Sequence, residues 1–108
     1  MSIEETQKID LVATRPNSPE VRLVITDHLD WVDVQAHLRL LQEKLNAYIA
    51  FVESGQIYEL DEPTVERNSQ ITIVIAAQED PPTEAEVFFE QVEGILLEIG
   101  IRFLLQVH

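Results

Sequence analysis

The chain has 108 residues, about the length of a single domain. Twenty Asp and Glu against seven Lys and Arg give a formal charge of −13, which repels phosphate backbones and anionic lipid and argues against nucleic-acid and membrane partners. Apolar residues make up 45%, enough to close a modest core, and the absence of cysteine excludes disulfides, thiolate metal sites and thiol catalysis.

The opening MSIEETQKID has neither the basic nor the apolar region of a signal peptide, so a cytoplasmic location is expected. No apolar run reaches membrane-spanning length. Residues 1–7 are polar and expected to fray. Residues 8–14 alternate, placing Ile9, Leu11 and Ala13 on one side of a strand and Asp10, Val12 and Thr14 on the other. The turn formers Pro16, Asn17, Ser18 and Pro19 lead into a second alternating run, with Val21, Leu23 and Ile25 opposite Arg22, Val24 and Thr26. The pair reads as a hairpin.

A long helix is expected next, opening at residues 27–30 with Asp27 or Asp30 as its cap. Trp31, Val34, Leu38, Leu41, Leu45, Tyr48 and Val52 recur at threes and fours and predict its buried stripe. Gly55 is placed to end it in a left-handed conformation. A second stripe on the same helix carries Asp33, His37, Leu40, Lys44, Ala47 and Phe51, and its Leu40 and Phe51 predict burial under residues 56–69 or a subunit contact. Residues 56–69 are irregular, with Ile57, Tyr58 and Leu60 able to dock on the core.

Residues 70–78 form a third strand with Ile71, Ile73 and Ile75 inward. Pro81 and Pro82 break it, and Thr83-Glu84-Ala85-Glu86 matches a capping box. The second helix is expected to bury Ala85, Phe88, Phe89, Val92, Ile95, Leu96 and Ile99 and to stop at Gly100. Residues 101–107 make a final strand. The result is one domain over residues 1–108, an α+β two-layer sandwich in the order β-β-α-β-α-β. A four-stranded mixed sheet carries both helices on one face, and strand order is left open.

The segment Trp31 … Leu41-Gln42-Glu43-Lys44-Leu45-Asn46-Ala47-Tyr48 … Phe51 … Ser54-Gly55-Gln56 is flanked by Ile9-Asp10-Leu11-Val12, Pro81-Pro82 and Gly100-Ile101. In these residues the chain resembles a family of roughly 100-residue bacterial proteins with a domain of unknown function. The resemblance implies a cytoplasmic bacterial protein and carries over no activity, cofactor or catalytic residue.

No glycine-rich phosphate loop and no GxSxG elbow is present. Asp30, Asp33 and His37 share one edge of the expected helix and could hold a divalent metal, although acidic residues in a first turn also serve as dipole partners. Glu86, Glu90 and Glu93 lie opposite the apolar stripe of the second helix, as a solvated face or as a landing site for a basic protein. On the sheet face away from the helices, Val12, Val24, Val74 and Leu104 supply one central apolar side chain per strand, with Arg22 and Arg102 beside them. That row reads either as strand propensity or as the contact of a homodimer. The reading favoured is a non-enzymatic acidic interaction protein. The alternatives are a small metal-assisted or acid–base enzyme using Asp30, Asp33 and His37, and a small-molecule binder with a pocket near Lys44, Tyr48 and Tyr58.

Overall fold

The computed structural model describes residues 3–15 and 17–108. The expected element order is present. Strands β1 (Leu11–Thr14) and β2 (Glu20–Asp27) are followed by helix α1 (Val34–Glu53) and a 3-10 turn at Gln56–Glu59. Strand β3 (Gln70–Ala77), a second 3-10 turn at Thr83–Ala85, helix α2 (Glu86–Glu98) and strand β4 (Arg102–Val107) complete it. The strands lie in chain order, β1-β2-β3-β4, with β1 antiparallel to β2 and the other neighbours parallel. Each of the two parallel connections runs through one helix and moves one strand along in the same direction. Right-handed crossovers therefore put α1 and α2 on the same face. Between them and the sheet sits one core, formed by Leu23, Ile25, Ile73 and Ile75 from the strands and Leu41, Leu45, Tyr48 and Leu96 from the helices. Gly55 and Gly100 both take the left-handed conformation and end the helices where expected.

Several expectations are corrected. Helix α1 starts at Val34 because Asp33 is its cap, its Oδ1 accepting from the Ala36 amide at 3.1 Å. Asp27 and Asp30 instead accept from the amides of Leu29 and Val32 two residues on. Such local turns compete with helix, and the chain stays irregular until the third aspartate. The seam of α1 is also rotated: its buried residues are His37, Leu41, Lys44, Leu45 and Tyr48. Two residues expected on a separate stripe are thus core residues. The start of the chain does not fray from Ile3 onward. Ile3 is fully buried in the core, and the Glu5 carbonyl accepts from Lys44. Met1 and Ser2 lie outside the described residues.

The phase of β1 is reversed relative to the alternation read from the sequence. Leu11 stands opposite Val24 and Val12 opposite Leu23. Leu23 belongs to the core, so Val12 turns toward the helices and packs against it, while Leu11 is half exposed on the open face. The physical cause is Asp10, which is drawn inside by Lys44 and fixes the parity of the residues after it. In α2 the capping box does not form: the helix opens through the 3-10 turn with no side-chain cap. Ile95 and Ile99, expected in the core, are exposed, as are Val87 and Leu97. Helix α2 lies over β4, the last strand, so the sheet ends beneath it and covers only one side of its apolar surface.

Candidate functional site

Two buried polar clusters hold most of the interior chemistry. The first joins Asp10, Lys44 and Tyr48. Lys44 donates from Nζ to Asp10 Oδ1 at 2.8 Å and to the Glu5 carbonyl at 2.6 Å. Asp10 Oδ2 accepts from the amide and hydroxyl of Thr26 at 3.1 and 3.2 Å. The Tyr48 hydroxyl accepts from the Asp10 amide at 2.8 Å and donates to the Val24 carbonyl at 2.7 Å, so the phenol sits between two backbones at the end of the β1–β2 ladder. Burial pushes its ionisation well above the usual tyrosine range, which keeps the phenol neutral. The side chains of Lys44 and Asp10 are 0% and 1% exposed.

The second cluster joins the end of β2 to the start of α1. His37 Nε2 meets Asp27 Oδ2 at 2.5 Å, and Nδ1 meets the Asp30 carbonyl at 2.9 Å. A carbonyl only accepts, so Nδ1 is the nitrogen that donates to Asp30, and Nε2 faces the Asp27 carboxylate. Trp31 stacks on the imidazole at 3.6 Å between centroids, and its indole N–H donates to the Glu79 carbonyl.

These contacts show where the residues singled out in the sequence lie. Asp30, Asp33 and His37 do not converge: the two carboxylates serve backbone amides, and both nitrogens of His37 are occupied. Among the described residues no group of three His, Asp or Glu gathers around a point that could hold a metal. Lys44 and Tyr48 are sealed inside, and Tyr58 packs beneath the Arg67 guanidinium at 4.7 Å, so the three do not line a common pocket. On the open sheet face Arg22 is held by Glu20 at 3.0 Å, and Thr72 donates to the same carboxylate at 3.2 Å. Arg102 is exposed at the start of β4, level with Thr72. Val24, Val74 and Leu104 stand in one register row, and Leu11 takes the fourth place in it that was expected for Val12.

The remaining chemistry lies on α2 and the strand beside it. Glu86, Glu90 and Glu93 are exposed and fall at spacings of four and three, one ridge of the helix, which Leu97 continues. Glu90 and Glu93 overlook a shallow groove of about 270 Å³ that runs along β4 past Phe89, Phe103, Leu104 and Leu105. On the other flank of α2, Phe88, Val92 and Ile95 border a second groove against Leu45 and Ile49 of α1. The sequence pattern missed the exposure of α2. The one available signal was its surplus of apolar residues over what a single buried stripe needs.

A family model described as a family of unknown function (DUF6572) matches residues 1–108. The chain belongs to this family. No curated protein and no solved structure matches the chain. The family carries no residue roles, so the site rests on the geometry above. Among the described residues no helix is long and apolar enough to cross a membrane.

Proposed function

We propose that this protein is a non-enzymatic binding module that docks a basic protein on the α2 side of its sheet. The observation that carries the reading is the outer surface of α2. It holds Leu97 at 59% exposure on the ridge of Glu86, Glu90 and Glu93 and Val87 at 62% next to that ridge, with Ile95 exposed on the opposite flank. Monomeric proteins seldom leave large apolar side chains clustered in water, and such patches mark contacts. A net charge of −13 would speed encounter with a basic surface and set its orientation, while the apolar residues would supply the contact area. The enzyme reading is less well supported, because the polar groups able to do acid–base work are buried and fully engaged with one another.

The test is a photoreactive residue placed at Leu97 in the native cell. A cross-link to a basic protein is expected, weakened by salt and by the combined variant E86Q/E90Q/E93Q. Cross-links that ignore both changes refute the reading.

A second reading is favoured by the row Leu11, Val24, Val74 and Leu104 on the face without helices, in which Leu11 is exposed, Val24 and Leu104 are half-buried and Val74 is already buried between its neighbours. Through it two copies would meet across a two-fold axis, with Arg102 available to a carboxylate of the partner copy. Sedimentation equilibrium distinguishes the two: a dimer dispersed by Val24→Lys or Leu104→Lys supports this second reading, and a monomer at high micromolar concentration removes it.

A further inference from the structure

Strand β4 is the outermost strand of the sheet on its side and pairs only with β3 among the described residues. The His108 amide donates to the Ala77 carbonyl at 3.0 Å, and Ala77 stands level with Val107. In a parallel ladder the residue level with a bonded partner points its own backbone groups away from it. By that parity the N–H and C=O groups of Phe103, Leu105 and Val107 face the free edge. Proteins protect such edges with Pro, Lys, bulges or very short strands. The opposite edge is protected in this way: β1 has only four residues. Strand β4 has six residues, RFLLQV, with neither Pro nor Lys.

The groove along this edge is charged on one side only. Glu90 and Glu93 overhang it from α2, Phe103 and Leu105 form its helix-side floor, and Leu104 borders it on the open face. An added strand alternates its side chains between the same two faces. Those on the helix side would run over Phe103 and Leu105 and end beneath two carboxylates, which suits the long stem and cationic head of Lys or Arg. Those on the open face would extend the row that ends in Leu104, which suits an apolar side chain. A second copy is a poor occupant. Pairing β4 with itself about a two-fold axis would set Glu90 and Glu93 of one copy across from the same residues of the other.

We propose that the free edge of β4 takes, as a fifth strand, an extended segment of a basic protein that alternates Lys or Arg with apolar residues. The proposal rests on the reading of α2 as the docking side and adds the form of the bound segment to it. Main-chain pairing would hold the segment and the two carboxylates would select it, the mode of binding by strand addition.

The probe is a capped peptide of eight residues alternating Lys and Val, added to the full chain. Hydrogen exchange at Phe103, Leu105 and Val107 is expected to slow about tenfold or more at saturation, as edge amides gain partners. The same peptide N-methylated along one edge should bind at least about tenfold more weakly, since each lost net hydrogen bond is worth up to about that factor. A peptide alternating Glu and Val should not bind, and E90Q/E93Q should weaken the Lys–Val peptide while leaving its protection pattern in place. Val107→Pro is tolerable on an edge strand and should abolish binding with exchange in α1 and β3 unchanged.

Equal binding of the N-methylated peptide overturns the proposal. If that binding is still lost in E86Q/E90Q/E93Q, the acidic docking face survives without the strand. Tight binding of the Glu–Val peptide overturns it as well, as does concentration-dependent protection of the three amides without peptide, which would make a second copy the occupant. Failure of the Lys–Val peptide to bind at all also overturns it, and the cross-link at Leu97 then decides the docking face by itself.

Discussion

Replacing Lys44 by Met keeps the length of the side chain and removes its charge, so the effect reads the ion pair rather than a cavity. In the wild type Nζ satisfies Asp10 Oδ1, out of water, and the partly buried Glu5 carbonyl. In the variant Oδ1 keeps no cation, while Oδ2 still accepts from the Thr26 amide and hydroxyl. Breaking a buried pair from one side costs about 3–5 kcal/mol, because the stranded charge stays desolvated. The two Thr26 donors place the expectation at the lower end, about 3 kcal/mol. With a urea slope of about 1.5 kcal/mol per molar, the midpoint should fall by about 2 M. Asp10→Asn in the same background removes the stranded charge and should recover about 1 kcal/mol or more, a non-additivity expected for touching partners. A loss below about 1 kcal/mol for Lys44→Met, or strict additivity in the double variant, would refute the argument that this pair is buried and mutually dependent.

Three further outcomes follow from the same interior. Leu45 is 3% exposed, and Leu45→Ala should cost about 2–5 kcal/mol in urea denaturation; a cost under half of that range's lower bound would mean the helix seam is misplaced. The Tyr48 phenol stays neutral in the fold above the pH at which an unfolded tyrosine ionises, so the unfolded chain binds fewer protons there. Its contribution is therefore complete below about pH 10 and fades as pH rises from there. The stability gap between wild type and Tyr48→Phe should narrow over that window, and a constant gap would contradict it. The hydrogen bond from Arg22, and then that from Thr72, hold the Glu20 carboxyl below its ordinary range, so its contribution is present above that range and lost as pH falls through the lowered value. Arg22→Gln should move the Glu20 titration seen by NMR back upward, and an unmoved titration would remove Arg22 as the cause.

Local periodicity was enough to read the elements, because threes and fours in α1 and alternation in β2 and β3 survive their exceptions. The parity of β1 was not legible, since it is set by Asp10 reaching a lysine 34 positions away on a helix. The sequence reading puts the cap at Asp27 or Asp30, and only the chain's path after β2 selects Asp33. His37 and Lys44 rotate the seam of α1 because each has a buried carboxylate to meet, and an apolar count has no place for that. The proposed docking surface was half legible: the ridge of Glu86, Glu90 and Glu93 follows from helical spacing, whereas the free edge beside it needs the strand order. That order is a non-local fact, and it also explains why Ile95 and Ile99 find nothing to cover them.

The two halves of the sheet are held by different forces, and this predicts how the molecule moves. Helix α1 is tied to β1 and β2 by directional bonds at two points, Lys44 and Tyr48 at one and His37 at the other. Its N-terminus is capped by Asp33. Helix α2 has no side-chain cap, and within it only Leu96 is buried. Its hold on the sheet is apolar, through contacts such as Phe89 on Phe103 with ring centroids 6.2 Å apart, and among the described residues the strand beneath it has a partner on one side only. Segments with few buried contacts and exposed backbone open at lower free energy than the rest of a domain. Native-state hydrogen exchange should therefore show α2 and β4 opening together before α1 and the β2–β3 pair. If α2 amides are protected as strongly as those of α1, the polar clusters do not set the hierarchy. If α2 and β4 open first, the proposed docking flank is the adaptable part of the fold, and α1 with β1–β3 is the fixed platform that presents it.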